Sequence, residues 1–220
     1  MANEVEKVTG IAIADIEAIN SRSDDNIQAL SGLEFTGTPP DAHTLIATAT
    51  ASASATLSFT SGIDSTYDVY EFHCTNIHPA NDGVALSFQV NAAGGSGFSE
   101  TITSTAFDFW NSESASAGNV SYNTANDKAQ ASTYQVVAES LANDNDDSGG
   151  GILTLYAPSS TTYVKHFTAS FTSKYWSNYT YSINTAGYIN TTNAINQISF
   201  KVASGNIDTG VIKMYGISKS

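Results

Sequence analysis

The sequence predicts an all-β protein: a jelly-roll-like β-sandwich preceded by a short, partly helical N-terminal anchoring arm. Three observations lead there. Residues that favour strands and turns are abundant, with 11 Tyr, 10 Phe and 16 Gly among 220 residues, beside long runs of Ser, Thr and Asn. Only 13% of the residues are charged, against about a quarter in an ordinary soluble domain. Helices need charged outer faces, whereas sheets can show rows of Ser and Thr to water. Period-2 alternation also recurs, most clearly near the C-terminus, where Ile198, Phe200 and Val202 alternate with Ser199, Lys201 and Ala203, the spacing that lines one face of a strand.

The first 37 residues differ from the rest. Set out at intervals of eleven they read VEKVTGIAIAD, IEAINSRSDDN and IQALSGLEFTG. Each unit opens on an aliphatic pair three apart, Val5 and Val8, Ile16 and Ile19, Ile27 and Leu30, and then reaches Gly10, Ser21 or Gly32. An eleven-residue period is 3.67 residues per turn, so these pairs fall on one helical stripe. Gly10, Gly32 and the polar run 20–25 oppose a continuous helix. Short helical turns are expected instead, with Ile11–Asn20 the best single helix. Such a stripe is too narrow to bury itself. Residues 1–37 therefore read as an arm that attaches to a partner surface through Val5, Val8, Ile16, Ile19, Ile27 and Leu30.

Thr38-Pro39-Pro40-Asp41 breaks regular structure, so residues 38–42 form a linker and 43–220 the sandwich domain. Strands are expected at Leu45–Phe59, Tyr67–Thr75, Val84–Val90, Glu100–Trp110, Ser132–Ser140, Ile152–Ala157, Tyr163–Phe171 and Tyr179–Ile183. A C-terminal antiparallel pair follows, joined by SGNIDTG. That makes about eight to ten strands, a count suited to double-sheet folds. Residues 111–131 are weakly patterned, and LANDNDDSGGG reads as a mobile acidic loop.

The net charge of -13 comes from 21 acids and 8 bases. Nucleic-acid binding needs a basic stripe, and an anionic membrane leaflet would repel this chain as well. No apolar run approaches the ~20 residues of a membrane span. MANEVEKVTG is no signal peptide, so synthesis in a cytoplasm is expected.

Cys74 is the only cysteine, which leaves no intrachain disulfide, and it shares a strand face with Tyr70 and Phe72 as a buried thiol. His73 and Cys74 are adjacent and face opposite sides, and no C-x-x-C or H-E-x-x-H occurs, so no metal is expected. Asp144-Asn145-Asp146-Asp147-Ser148-Gly149 imitates the start of a calcium loop, but position 12 is Leu155 where a bidentate acid is required. Glu71, Glu100 and Asp108 lie on or near strands with nothing to select a catalytic pair, so neither catalytic residues nor a cofactor are assigned. Tyr175-Trp176-Ser177-Asn178-Tyr179-Thr180-Tyr181 is more informative. Adjacent aromatics cannot all point inward, so Tyr175, Trp176 and Tyr179 are candidate contacts to a partner or a glycan.

Several runs carry a resemblance. They are Phe72-His73 with Asn76-Ile77-His78-Pro79, Leu86–Gly97, Glu100–Thr105 and Gly187-Tyr188-Ile189-Asn190-Thr191, followed by Gly205-Asn206-Ile207 with Ile212–Ile217. In that order the chain resembles virion structural proteins of tailed bacteriophages, especially those of marine phages, over roughly residues 57–217. The arm is similar to anchoring segments at the start of phage tail and fibre proteins. The resemblance implies a non-enzymatic β-sandwich displayed on a virion as a homo-oligomer, often a trimer, among other virion proteins. Its place would be a tail-associated appendage, adaptor or fibre subunit. A capsid decoration protein and a module recognising a host surface glycan are the alternatives.

Overall fold

The computed structural model describes residues 43–114 and 117–218, together with four two-residue strands within the first 42 residues. The chain divides into two compact units, Met1–Thr44 and Leu45–Ser220. In the first unit β1 (Lys7–Val8) pairs antiparallel with β2 (Ile11–Ala12), and β3 (Ala29–Leu30) with β4 (Leu33–Glu34). The residues between partners are Thr9-Gly10 and Ser31-Gly32, a composition that suits a two-residue hairpin connection. This corrects the helical expectation where it is visible. Val8, Ile11, Ala12 and Leu30 belong to ladders. Val5, Ile16, Ile19, Ile27 and the remainder of the expected helix lie outside the described residues.

From His43 onward a single sheet of thirteen strands forms. Its members are β5 (His43–Thr50), β6 (Leu57–Phe59), β7 (Val69–Pro79), β8 (Val84–Ala92), β9 (Ile102–Ser112), β10 (Gly118–Tyr122), β11 (Lys128–Ala131), β12 (Gln135–Leu141), β13 (Gly149–Tyr156), β14 (Lys165–Tyr175), β15 (Tyr179–Ile189), β16 (Ile195–Val202) and β17 (Ile207–Ile217). One layer runs β5-β17-β7-β13-β14 and continues through β15 to β9, which carries β10 and β11. At Leu141↔Tyr175 β14 also meets β12, and the sheet turns into a second layer, β12-β8-β16-β6. The result is an all-β, nearly closed, sandwich-like barrel. Among the described residues no helix is long and apolar enough to cross a membrane.

Alternation builds the core. Phe167, Ala169 and Phe171 of β14 are buried while Thr168, Ser170 and Thr172 are exposed. Phe72 of β7 lies 5.7 Å from Phe59 of β6 and 5.7 Å from Phe200 of β16, and Phe88 of β8 lies 5.1 Å from Phe167. These edge and tilted contacts join the two layers. On β8 the polar row is buried as well. Gln89 Nε2 lies within hydrogen-bond distance of the carbonyls of Glu100 and Ser132, 3.0 Å each, while its Oε1 accepts from Val90 N at 2.8 Å.

The expected C-terminal hairpin is not formed. β16 pairs with β6 and β8 in one layer, and β17 lies between β5 and β7 in the other. The link between them crosses from layer to layer. Residues 51–56 interrupt the expected Leu45–Phe59 strand, with Ala53 at φ 49°. Residues 111–131, expected to be irregular, hold β10 and β11. The acidic loop is tethered: Asp147 is buried, pairs with Lys174 Nζ at 3.0 Å, and its carbonyl lies 2.9 Å from His78 Nδ1.

The outward face of the first layer is uncharged through its middle. One cross-strand row reads Val120, Phe109, Ser182, Thr172, Gly150, and the next reads Tyr122, Phe107, Asn184, Ser170, Ile152. Val120, Phe107, Phe109, Tyr122 and Ile152 are exposed on it.

Candidate functional site

The candidate site is an aromatic corner where β14 turns into β15. Tyr175↔Tyr179 closes the hairpin, Asn178 N donates to Tyr175 O at 3.0 Å, and Asn178 adopts φ 62°. Asn is the non-glycine residue best suited to that left-handed position. Alternation then fixes the rings. Phe171, Ser173 and Tyr175 of β14 face the core side, as do Tyr179, Tyr181 and Ile183 of β15. Trp110 of β9 sits opposite Tyr181 in the register.

At this end of the barrel the core residues are aromatic and only half-buried. Trp110 meets Tyr179 at 5.2 Å and 87°, Tyr175 meets Tyr179 at 5.9 Å and 84°, and Tyr175 meets Tyr181 at 5.2 Å and 31°. These four rings line a cavity of about 200 Å³. Trp176 is in the loop, 54% exposed, and stacks on Tyr175 at 6.0 Å. Its ring covers the Asp82-Gly83 turn so closely that a Cβ on Gly83 would lie 3.4 Å from Trp176 Cδ1.

An acidic network lies behind Tyr181. Its hydroxyl donates to Glu139 Oε2 at 3.2 Å. Asn123 Nδ2 donates to Asp108 Oδ2 at 2.7 Å and to Glu139 Oε2 at 3.0 Å, and Asn126 Nδ2 donates to the same Glu139 oxygen at 2.7 Å. Asp108 is buried, and its Oδ1 has no hydrogen-bond partner among the described residues. Burial first, then the carboxylates of Asp108 and Glu139, hold the Tyr181 phenol well above its usual range. A phenolate there would be poorly solvated and would face two negative charges.

Beside the corner a groove of about 500 Å³ crosses the strand ends. Its walls are mostly hydroxyl and amide side chains, with Glu113, Lys174 and Tyr179 among them.

The sequence-predicted contacts Tyr175, Trp176 and Tyr179 are thus brought together. Trp110 and Tyr181 complete the cluster and were missed. Tyr181 stood in the quoted aromatic run, but only the β9–β15 register places Trp110 beside it. Among the acids singled out, Glu71 Oε2 lies 2.8 Å from His73 Nε2, and Glu100 Oε1 accepts from Ala92 N at 3.1 Å. Asp108 Oδ2 accepts from Asn123 Nδ2, which it shares with Glu139, and nothing in the sequence selected Asn123 or Glu139. Cys74 is in the core, where burial pushes its thiol pKa up. Leu155, at position 12 of the imitated calcium loop, is also in the core.

The chain matches no family model, no curated protein and no solved structure.

Proposed function

We propose that this chain is a non-enzymatic structural protein of a phage virion, tail-associated as an appendage, adaptor or fibre subunit, with a capsid decoration role as the alternative placement. Residues 1–37 attach it and the sandwich projects as part of a homo-oligomer. The single observation that carries this reading is the uncharged middle of the outer face of β10-β9-β15-β14-β13, where Lys174 stands at one end of β14. On a chain with 21 acids and 8 bases, adjoining cross-strand rows without charge and with several exposed apolar side chains are what subunit packing calls for. The separate leader unit, ending at Thr44, supports an arm of distinct role. Deleting residues 1–37 tests the assembly reading: the remaining domain should fold but fail to enter particles. Normal incorporation would overturn it.

A second reading, contact with a host surface glycan, is favoured by the exposed Trp176 ring beside a hydroxyl-lined groove, since aromatic faces stack on sugar rings. Saturable binding of the full chain on a glycan array, lost in Trp176→Ala, is its expected outcome. Silence on the array would remove it.

A further inference from the structure

We infer that the recessed pocket formed by Trp110, Tyr175, Tyr179 and Tyr181 binds an alkylated ammonium group, such as the trimethylammonium of choline or of a methylated lysine. The inference rests neither on a place in a virion nor on glycan contact at Trp176.

Shape is the first argument. The cavity of about 200 Å³ is walled by these four rings, and Trp110 and Tyr175 both stand nearly perpendicular to Tyr179, at 87° and 84°. A parallel stack would suit a flat ligand. Rings crossed at right angles, with Tyr181 inclined 31° to Tyr175, form an open concavity that suits a compact, rounded one. The side-chain polar groups of its walls are the hydroxyls of Tyr175, Tyr179 and Tyr181 and the Trp110 indole N–H, and the Tyr181 hydroxyl is already taken by Glu139.

Charge is the second argument. Aromatic faces are negative and attract cations, and the attraction grows when both are shielded from water. Tyr181 donates its phenolic proton to Glu139 Oε2 at 3.2 Å, which pushes electron density back onto its ring. The shared Asn123 amide brings Asp108 close to Glu139. No lysine, arginine or histidine joins the hydrogen bonds of this network among the described residues. The ammonium of Lys174, next in sequence to Tyr175, is taken by Asp147 at 3.0 Å. Asp108 Oδ1, on a side chain 7% exposed, is left without a hydrogen-bond partner among the described residues. A buried carboxylate normally has a compensating partner. A ligand cation in the adjoining pocket would supply part of that compensation, and the net charge of -13 would draw it in.

The test is calorimetric and fluorescence titration of the full chain with choline, with Nε-trimethyllysine, and with 3,3-dimethylbutan-1-ol, the uncharged isostere of choline. Saturable binding of at least one cation is expected, with the alcohol about tenfold weaker or worse. The tighter of the two cations identifies the source of the group. Tyr179→Leu and Trp110→Leu should each weaken cation binding about tenfold, whereas Tyr179→Phe, which keeps the ring, should hold it within about twofold. Glu139→Gln should weaken it severalfold. Thermal melts of each variant establish folding, and Tyr179→Phe against Tyr179→Leu decides the matter should Trp110→Leu not fold. Three results would overturn the inference: no saturation by either cation up to about 10 mM, equal binding of the alcohol, or unchanged affinity in Tyr179→Leu.

Discussion

Tyr181 links the wall of the pocket to the acids behind it, and its titration should be visible in stability. Its folded pKa lies above the ordinary value of 10.0 because burial and two nearby carboxylates oppose the phenolate. Between that ordinary value and the folded pKa the native state holds a proton that the unfolded state has released, so stability falls as pH rises through this window. Lys165 works the other way. Its ammonium is buried, donates to the carbonyls of Tyr163 at 2.9 Å and Thr191 at 3.1 Å, and has its pKa lowered by burial. The unfolded state then binds the extra proton, and stability gains as pH rises toward 10.5. Comparing wild type with Tyr181→Phe cancels the lysine contribution. Near neutral pH the variant should be roughly 1.5–3 kcal/mol less stable, the size of a hydrogen bond to a charged group. That gap should shrink above about pH 10. Denaturant melts at pH 7 and pH 10.5 measure it, and a gap independent of pH would contradict the assignment.

At the scale of elements, β17 shows what periodicity reveals and what it hides. Alternation in Val202 and its neighbours, and again from Val211 to Ile217, located two strands to within a few residues. The partners of those strands were not legible, because pairing depends on which distant edges are free and a short linker suggests a hairpin by default. β17 instead fills the slot between β5 and β7, with Met214 opposite Phe72 and Ile212 opposite Cys74. β10 was missed for the opposite reason. Neither of its faces is buried, so no apolar row marks a core side. Asp147 was misread because a run of acids looks solvated until its one cation, Lys174, arrives from a strand 27 residues away. The placement of β17 makes a testable claim about cooperativity. Amides of Phe72, Ile212 and Met214, all fully buried and flanked on both sides, should exchange only through global unfolding. Those of β10, an outer strand paired on one edge to β9, should exchange through cheaper local opening. Hydrogen exchange by mass spectrometry resolves the two segments, and equal protection would argue against β17 as an interior strand.

For the whole molecule, composition foretold a sheet protein with hydroxyl-coated faces, and the outer layer is one. It could not foretell where the charge is missing, since that needs the register of five strands. Those strands, about 4.8 Å apart and up to about 36 Å long, make a face of roughly 700 Å², near the ~800 Å² each partner contributes to a standard interface. Phe107, Phe109, Val120, Tyr122 and Ile152 supply its exposed apolar surface. Two copies of a chain carrying -13 repel each other at long range, so their association through this face opposes electrostatics rather than using it. Salt shortens the range of that repulsion, from about 10 Å at 0.1 M to about 3 Å at 1 M, and leaves apolar contact intact. Self-association followed by sedimentation velocity should therefore strengthen over that range of ionic strength. Phe107→Lys, which sets a charge on the face without touching the core, should weaken it at every salt concentration while costing no more stability than the lost edge-to-face contact with Tyr122, about 0.5–1.5 kcal/mol. Association that weakens with salt would mean that ion pairs hold the copies together, and the uncharged face would then not be the surface on which they meet.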